Sequence, residues 1–143
     1  MPAFEFDPSI RVVFGRGRLS ELPELVASFS ASSVLIVTDP GLAATGIVDR
    51  AQAFLADARI TSRLFSEVQA NPTSGDIDAG LAVAGMGEPI DLIVAIGGGS
   101  ALDCAKGINF LLTNGGRIED YHGHGKAEKP MLPSIGVPTT AGT

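Results

Sequence analysis

The chain has 143 residues, 10 basic and 16 acidic, for a formal net charge of −6, so no basic stripe exists to release counterions from a polyanion, and nucleic acid is not expected as a partner. Cys104 is the only cysteine, which rules out an intrachain disulfide and fits a reducing, cytoplasmic setting. The N-terminus MPAFEFDPSIR lacks the pattern of a secretory signal, and the longest apolar stretch, around Leu92 to Ile96, is far too short to span a bilayer. No membrane association is therefore expected. With 45% hydrophobic residues, a chain of this length suits one domain, 1–143, that buries roughly 68–70% of its unfolded surface.

In chain order, Phe4 to Phe6 and Ile10 to Phe14 flank Asp7-Pro8-Ser9 and predict a β-hairpin. Gly15 and Gly17 break the chain, and Leu22, Leu25, Val26 and Phe29 then keep helical spacing. Ser33 to Val37 predicts a buried strand that ends at Thr38-Asp39-Pro40-Gly41. Val48, Ala51, Leu55 and Ala58 trace a helix face, and Thr61 to Phe65 gives another strand. After Asn71-Pro72, Thr73 and Asp76 stand at capping-box spacing at the start of a helix. Asp91 to Ile96 is the clearest strand and runs into Gly97-Gly98-Gly99-Ser100. Leu102, Ala105, Ile108 and Leu112 mark the helix that follows, which Asn114-Gly115-Gly116 ends. A polar loop with Tyr121, His122 and His124 leads to a last short strand, Ser134 to Val137.

Strands that alternate with helices predict βαβ units. The fold class is thus α/β: a mostly parallel sheet flanked by helices, with an N-terminal β-hairpin. No internal repeat or linker divides the chain. It stops at Pro138-Thr-Thr-Ala-Gly-Thr143, where another helix would be expected, so it reads as truncated after Thr143.

The residues alone point to chemistry at the glycine loop and at Asp39, and speak against it at the histidines and the cysteine. Glycines at 97, 98 and 99 between a strand and a helix let a ligand approach the backbone, where the helix's first N–H groups and its dipole suit a pyrophosphate. Ser100 is placed to cap that helix or to donate to a phosphate oxygen. The alternative is a tight strand-to-helix turn, and Leu102 stands where the G-x-G-x-x-G pattern needs its third glycine. Asp39, at a strand's carboxyl end, is placed to accept from ribose hydroxyls, or simply to cap a turn or helix. Because it precedes the glycines, the ordinary Rossmann template does not apply. His122 and His124 are the only histidines and lie in one loop, too few ligands for a metal site. Cys104 reads as a small core residue.

Together the blocks Phe14-Gly15-Arg16-Gly17, Val37-Thr38-Asp39-Pro40-Gly41, Asn71-Pro72-Thr73, Ile96 to Lys106 and Pro138 to Thr143 resemble the iron-containing (type III) alcohol dehydrogenases. The N-terminal domain of that family is similar to those of dehydroquinate synthase and glycerol dehydrogenase. The resemblance implies a dinucleotide-binding domain in which Gly97, Gly98, Gly99 and Ser100 hold the NAD pyrophosphate. It implies that Asp39 meets the adenosine ribose and favours NAD over NADP, and that Thr139, Thr140 and Thr143 line the adenine and phosphate side. Asn71 and Lys106 fall at the nicotinamide end, although a solvated surface charge is an equal account of Lys106. No residue of this chain is assigned a catalytic role.

The family's iron or zinc is held by one Asp and three His of a helical C-terminal domain, absent here. The complete protein would pass hydride between a small alcohol or aldehyde substrate and NAD, as a homo-oligomer, and this fragment alone would be inactive. The alternatives are an NAD-dependent lyase of the dehydroquinate synthase type and a non-catalytic nucleotide-binding domain. The Asn71-Pro72-Thr73 and Pro138–Thr143 blocks favour the dehydrogenases over the lyase.

Overall fold

In a computed structural model of the chain, residues 9–141 are described. The elements are α1 (Leu22–Ser28), β1 (Ser33–Val37), α2 (Pro40–Ala43), α3 (Ile47–Asp57), β2 (Thr61–Phe65), α4 (Ser74–Ala84), β3 (Leu92–Gly97), α5 (Gly99–Asn114) and β4 (Ser134–Pro138), with short 3-10 turns at Arg18–Glu21 and Ile118–Tyr121. The four strands form one sheet in the order β2-β1-β3-β4, every pairing parallel.

Both central strands, β1 and β3, are buried along their whole length. This explains why they read as unbroken apolar runs and not as alternating patterns. Their alternate residues face two cores. Val34, Ile36, Leu92, Val94 and Ile96 pack against Leu22 and Val26 of α1 and Val48, Ala51 and Leu55 of α3. Leu35, Val37, Ile93 and Ala95 face the other way, toward Ala84 of α4 and Cys104, Ala105 and Ile108 of α5. From β1 the chain steps outward to β2 through α3, then back across β1 to β3 through α4 and on to β4 through α5. Connections of one handedness taken in opposite directions place their helices on opposite faces.

Helices α4 and α5 meet closely because glycines stand at the contact. A β-carbon at Gly80 would lie 2.2 Å from Cδ1 of Ile108, and one at Gly107 would lie 2.6 Å from Cδ1 of Ile77. Cys104 is buried in this layer; burial, together with the nearby Asp76 carboxylate, pushes its thiol up to about 11. It is therefore an inert packing residue, as its position in the helix suggests.

The expected hairpin falls only in part on described residues. Its first arm and most of its turn lie outside the described residues, and 10–14 carry no strand. Ile10, Val12 and Phe14, at alternating positions, are strongly exposed. Of the turn or helix cap expected at Asp39-Pro40-Gly41, the structure has the cap: Asp39 precedes the short helix α2, with the proline in its first turn, where its missing N–H costs nothing.

Candidate functional site

Chain direction reverses between β1 and β3: β1 connects outward toward β2, and β3 in the opposite direction toward β4. A crevice opens at such a switch point, beyond the carboxyl ends of the strands. Asp39 follows β1 there, Gly98 to Ser100 follow β3, and Thr139 and Thr140 follow β4. The β2–α4 connection brings Asn71 to the same edge.

The contacts are specific. Of the two readings its position allowed, Asp39 takes the cap. One carboxylate oxygen, Oδ1, accepts from the Leu42 N–H at 2.9 Å and caps α2. Its other oxygen lies toward the glycine loop, 3.5 Å from where a β-carbon on Gly97 would stand. Gly97 has φ 154°, and that added carbon would also lie 2.7 Å from Cβ of Ala101, so only glycine fits. The Gly97 carbonyl accepts from the Thr139 N–H at 3.0 Å, which ties the end of β3 to the start of the threonine segment. A β-carbon on Gly98 would lie 3.3 Å from Cγ2 of Thr140, so the glycine and threonine segments are in direct apposition.

The helix ends at this edge differ. Asp39 caps α2, and the Asp76 carboxylate accepts the Thr73 N–H at 2.7 Å and its hydroxyl at 3.0 Å at the start of α4. The Thr73 N–H leads in holding Asp76 below the ordinary 3.8, with burial opposing it. Among the described residues no side chain caps α5. Its first N–H groups, on Gly99, Ser100 and Ala101, have no hydrogen-bond partner among the described residues and stand at the positive end of a 16-residue helix dipole. Ser100 does not turn back to cap its own helix; its hydroxyl accepts from the Asn71 N–H at 3.3 Å.

Lys106 stands farther along α5, about 10 Å from Gly99 at 1.5 Å per residue. It is 72% exposed and pairs with Asp103 at 3.6 Å, a contact of little energetic weight at the surface. Thr143 lies outside the described residues. His122 and His124 are exposed. Among the described residues no three His, Cys, Asp or Glu side chains come together as a metal site.

Two asparagines of α5 hold the chain on its way into β4, at the opposite, amino edge of the sheet. Asn109, buried in α5, donates to the Leu132 carbonyl and accepts from its N–H, both at 2.9 Å, and so sets the entry to β4. The Asn114 carboxamide accepts from the Glu128 and Lys129 N–H groups and donates to the Lys129 carbonyl, pinning the long loop onto α5. Only a polar residue on an otherwise apolar helix face hints at such a role in sequence.

A parallel sheet flanked by helices, with a glycine loop at its switch point, defines the class: a doubly wound α/β fold. The model of the iron-containing alcohol dehydrogenases matches residues 8–143, and the chain belongs to that family. It is 47% identical over 131 residues to alcohol dehydrogenase 4 of Schizosaccharomyces pombe, an alignment that covers 92% of this chain and 31% of the relative. Among solved structures it is similar to the alcohol dehydrogenase of Oenococcus oeni, with a TM-score of 0.87 and 33% identity, over 99% of this chain and 37% of that one. It is also similar to sulfoacetaldehyde reductase from Bifidobacterium kashiwanohense in complex with NAD+, with a TM-score of 0.82 and 30% identity, over 100% of this chain and 38% of that one. The chain thus spans about a third of the length of its relatives.

Proposed function

We propose that these residues form the NAD-binding part of a metal-dependent alcohol dehydrogenase, acting on a small alcohol or aldehyde. The observation that carries this reading is the uncapped first turn of α5, facing the glycine loop and Asp39 at the switch point, in a chain whose relatives are dehydrogenases. NAD would supply the hydride acceptor. The pyrophosphate would lie on the N–H groups of Gly99 and Ser100, with Gly97 and Gly98 leaving room for its approach. Thr139, Thr140 and Thr143 would close the crevice from the β4 side. Asp39, with one oxygen held by Leu42, would turn its other oxygen to the adenosine ribose and repel a 2′-phosphate. Asn71 and Lys106 would stand toward the nicotinamide end.

The metal, iron or zinc, would be held by a helical domain beyond these 143 residues, so that the chain alone carries no turnover. The complete protein would be a cytoplasmic homo-oligomer. The dehydrogenase relatives support this reading over a dehydroquinate synthase-type lyase or a non-catalytic domain.

The test is cofactor preference in the complete protein. Wild type should favour NAD over NADP, and Asp39→Gly should erase most of that preference, while a glycine cap costs α2 only a few tenths of a kcal/mol. A wild type that prefers NADP, or a variant with unchanged preference, would place Asp39 away from the ribose.

A further inference from the structure

Asn71 has φ 56°, a left-handed conformation that asparagine tolerates better than most residues. The loop is held on both sides of it: the Val68 N–H donates to the Thr38 carbonyl at 3.3 Å, and the Asp76 carboxylate holds Thr73. At the bend between these anchors, the Asn71 N–H points to Oγ of Ser100. A serine hydroxyl has one proton to donate and two lone pairs. On a helix it readily turns that proton back to a carbonyl of its own helix. A donor arriving from Asn71 fixes one lone pair and so restricts where the proton can point.

We propose that Asn71 serves the nucleotide site through its main chain, as a positioning residue: its left-handed backbone presents an N–H that orients the Ser100 hydroxyl as a donor toward the anion at the start of α5. The inference rests on the nucleotide reading of this crevice. It makes the β2–α4 loop part of the pyrophosphate site, whatever the Asn71 side chain does at the nicotinamide end. Asp76, in turn, acts on the site by holding the loop in which Asn71 sits.

Calorimetric titration of the complete protein with ADP-ribose tests this, because that ligand lacks the nicotinamide ring and is blind to contacts there. Asn71→Gly adopts φ 56° without strain and keeps the N–H, so affinity should stay within about twofold of wild type. Asn71→Val disfavours that conformation and should weaken binding about tenfold, the scale of one hydrogen bond to a charged group. In a Ser100→Ala background, which preserves the helix, Asn71→Val should add nothing further. Equal affinities for the Gly and Val variants, or a tenfold loss that persists without the Ser100 hydroxyl, would overturn the proposal. Gly98→Val separates the two levels. If it leaves ADP-ribose binding untouched, the nucleotide reading falls and takes this inference with it. If it abolishes binding while Asn71→Gly and Asn71→Val behave alike, this inference alone falls.

Discussion

The two edges of the sheet use polar groups in different ways. At the amino edge, long-range side chains tie segments together. The Asp91 carboxylate, at the start of β3, accepts from the Ser32 and Ser33 N–H groups at 3.0 and 3.1 Å and from the Ser32 hydroxyl at 3.2 Å, clamping β3 to β1. Arg63 on β2 donates to the carbonyls of Val83, Ala84, Met86 and Glu88, where α4 ends and its dipole is negative. At the carboxyl edge, side chains hold α2 and α4, while the first turn of α5 is left open between them. One edge ties its polar groups to one another, and the other leaves the first N–H groups of α5 without a partner among the described residues. Damage at the two edges should therefore be separable.

The largest effect on stability is expected at the amino edge. Asp91→Asn removes a charge that three donors share, and should cost about 2 kcal/mol at neutral pH with no change in nucleotide affinity. Its pH dependence follows from sign. The Ser32 N–H, with Ser33 and the Ser32 hydroxyl assisting against burial, holds Asp91 below the ordinary 3.8. Its contribution is thus complete above 3.8 and is lost as pH falls through the lower folded value. Denaturant titrations at pH 7 and pH 2.5 should show the gap between wild type and Asp91→Asn narrowing with acid. A gap that is constant or wider at low pH would mean that the clamp does not depend on ionised Asp91.

A smaller effect sharpens the contrast. The Thr38 hydroxyl, at the end of β1, is buried and has no hydrogen-bond partner among the described residues, as is true of Ser33 at the other edge. Thr38→Val keeps the shape and removes an unpaired polar atom, so the midpoint of unfolding should hold or rise, by at most about 1 kcal/mol. A clear loss of stability would reveal a partner for that hydroxyl.

Local signals carried much of this architecture. The strands at 33–37 and 61–65 have the bounds that apolar runs and flanking turn residues predict, and Thr73 with Asp76 marks the start of α4. Gly97 to Ser100 fall at a strand-to-helix junction for the same reason: a buried strand and an amphipathic helix leave only that place for them. What sequence hides is partnership over distance. Asp91 meets residues 58 and 59 positions away, and Asn109 meets Leu132 at 23; no periodicity encodes such pairs. Asp39 was legible as a candidate, but capping and ribose recognition predict the same residue type at the same spacing, and only three dimensions show one oxygen committed and the other turned toward Gly97. At Ile10 to Phe14 the alternating pattern is genuine, but alternation specifies a face, not a partner, and the described residues provide none.

The central claim is that the carboxyl edge binds a nucleotide through backbone that must be approached closely, and Gly98→Val tests it most directly. Gly98 has φ −81° and ψ −169°, which a β-branched residue adopts without strain, and the added carbon would press on Thr140 by only a few tenths of an ångström. The far-ultraviolet dichroism and the unfolding midpoint of the complete protein should hold while calorimetric binding of NAD disappears. Binding that survives in the folded variant, or a fold lost together with binding, would contradict the account and leave the glycine loop as a structural turn.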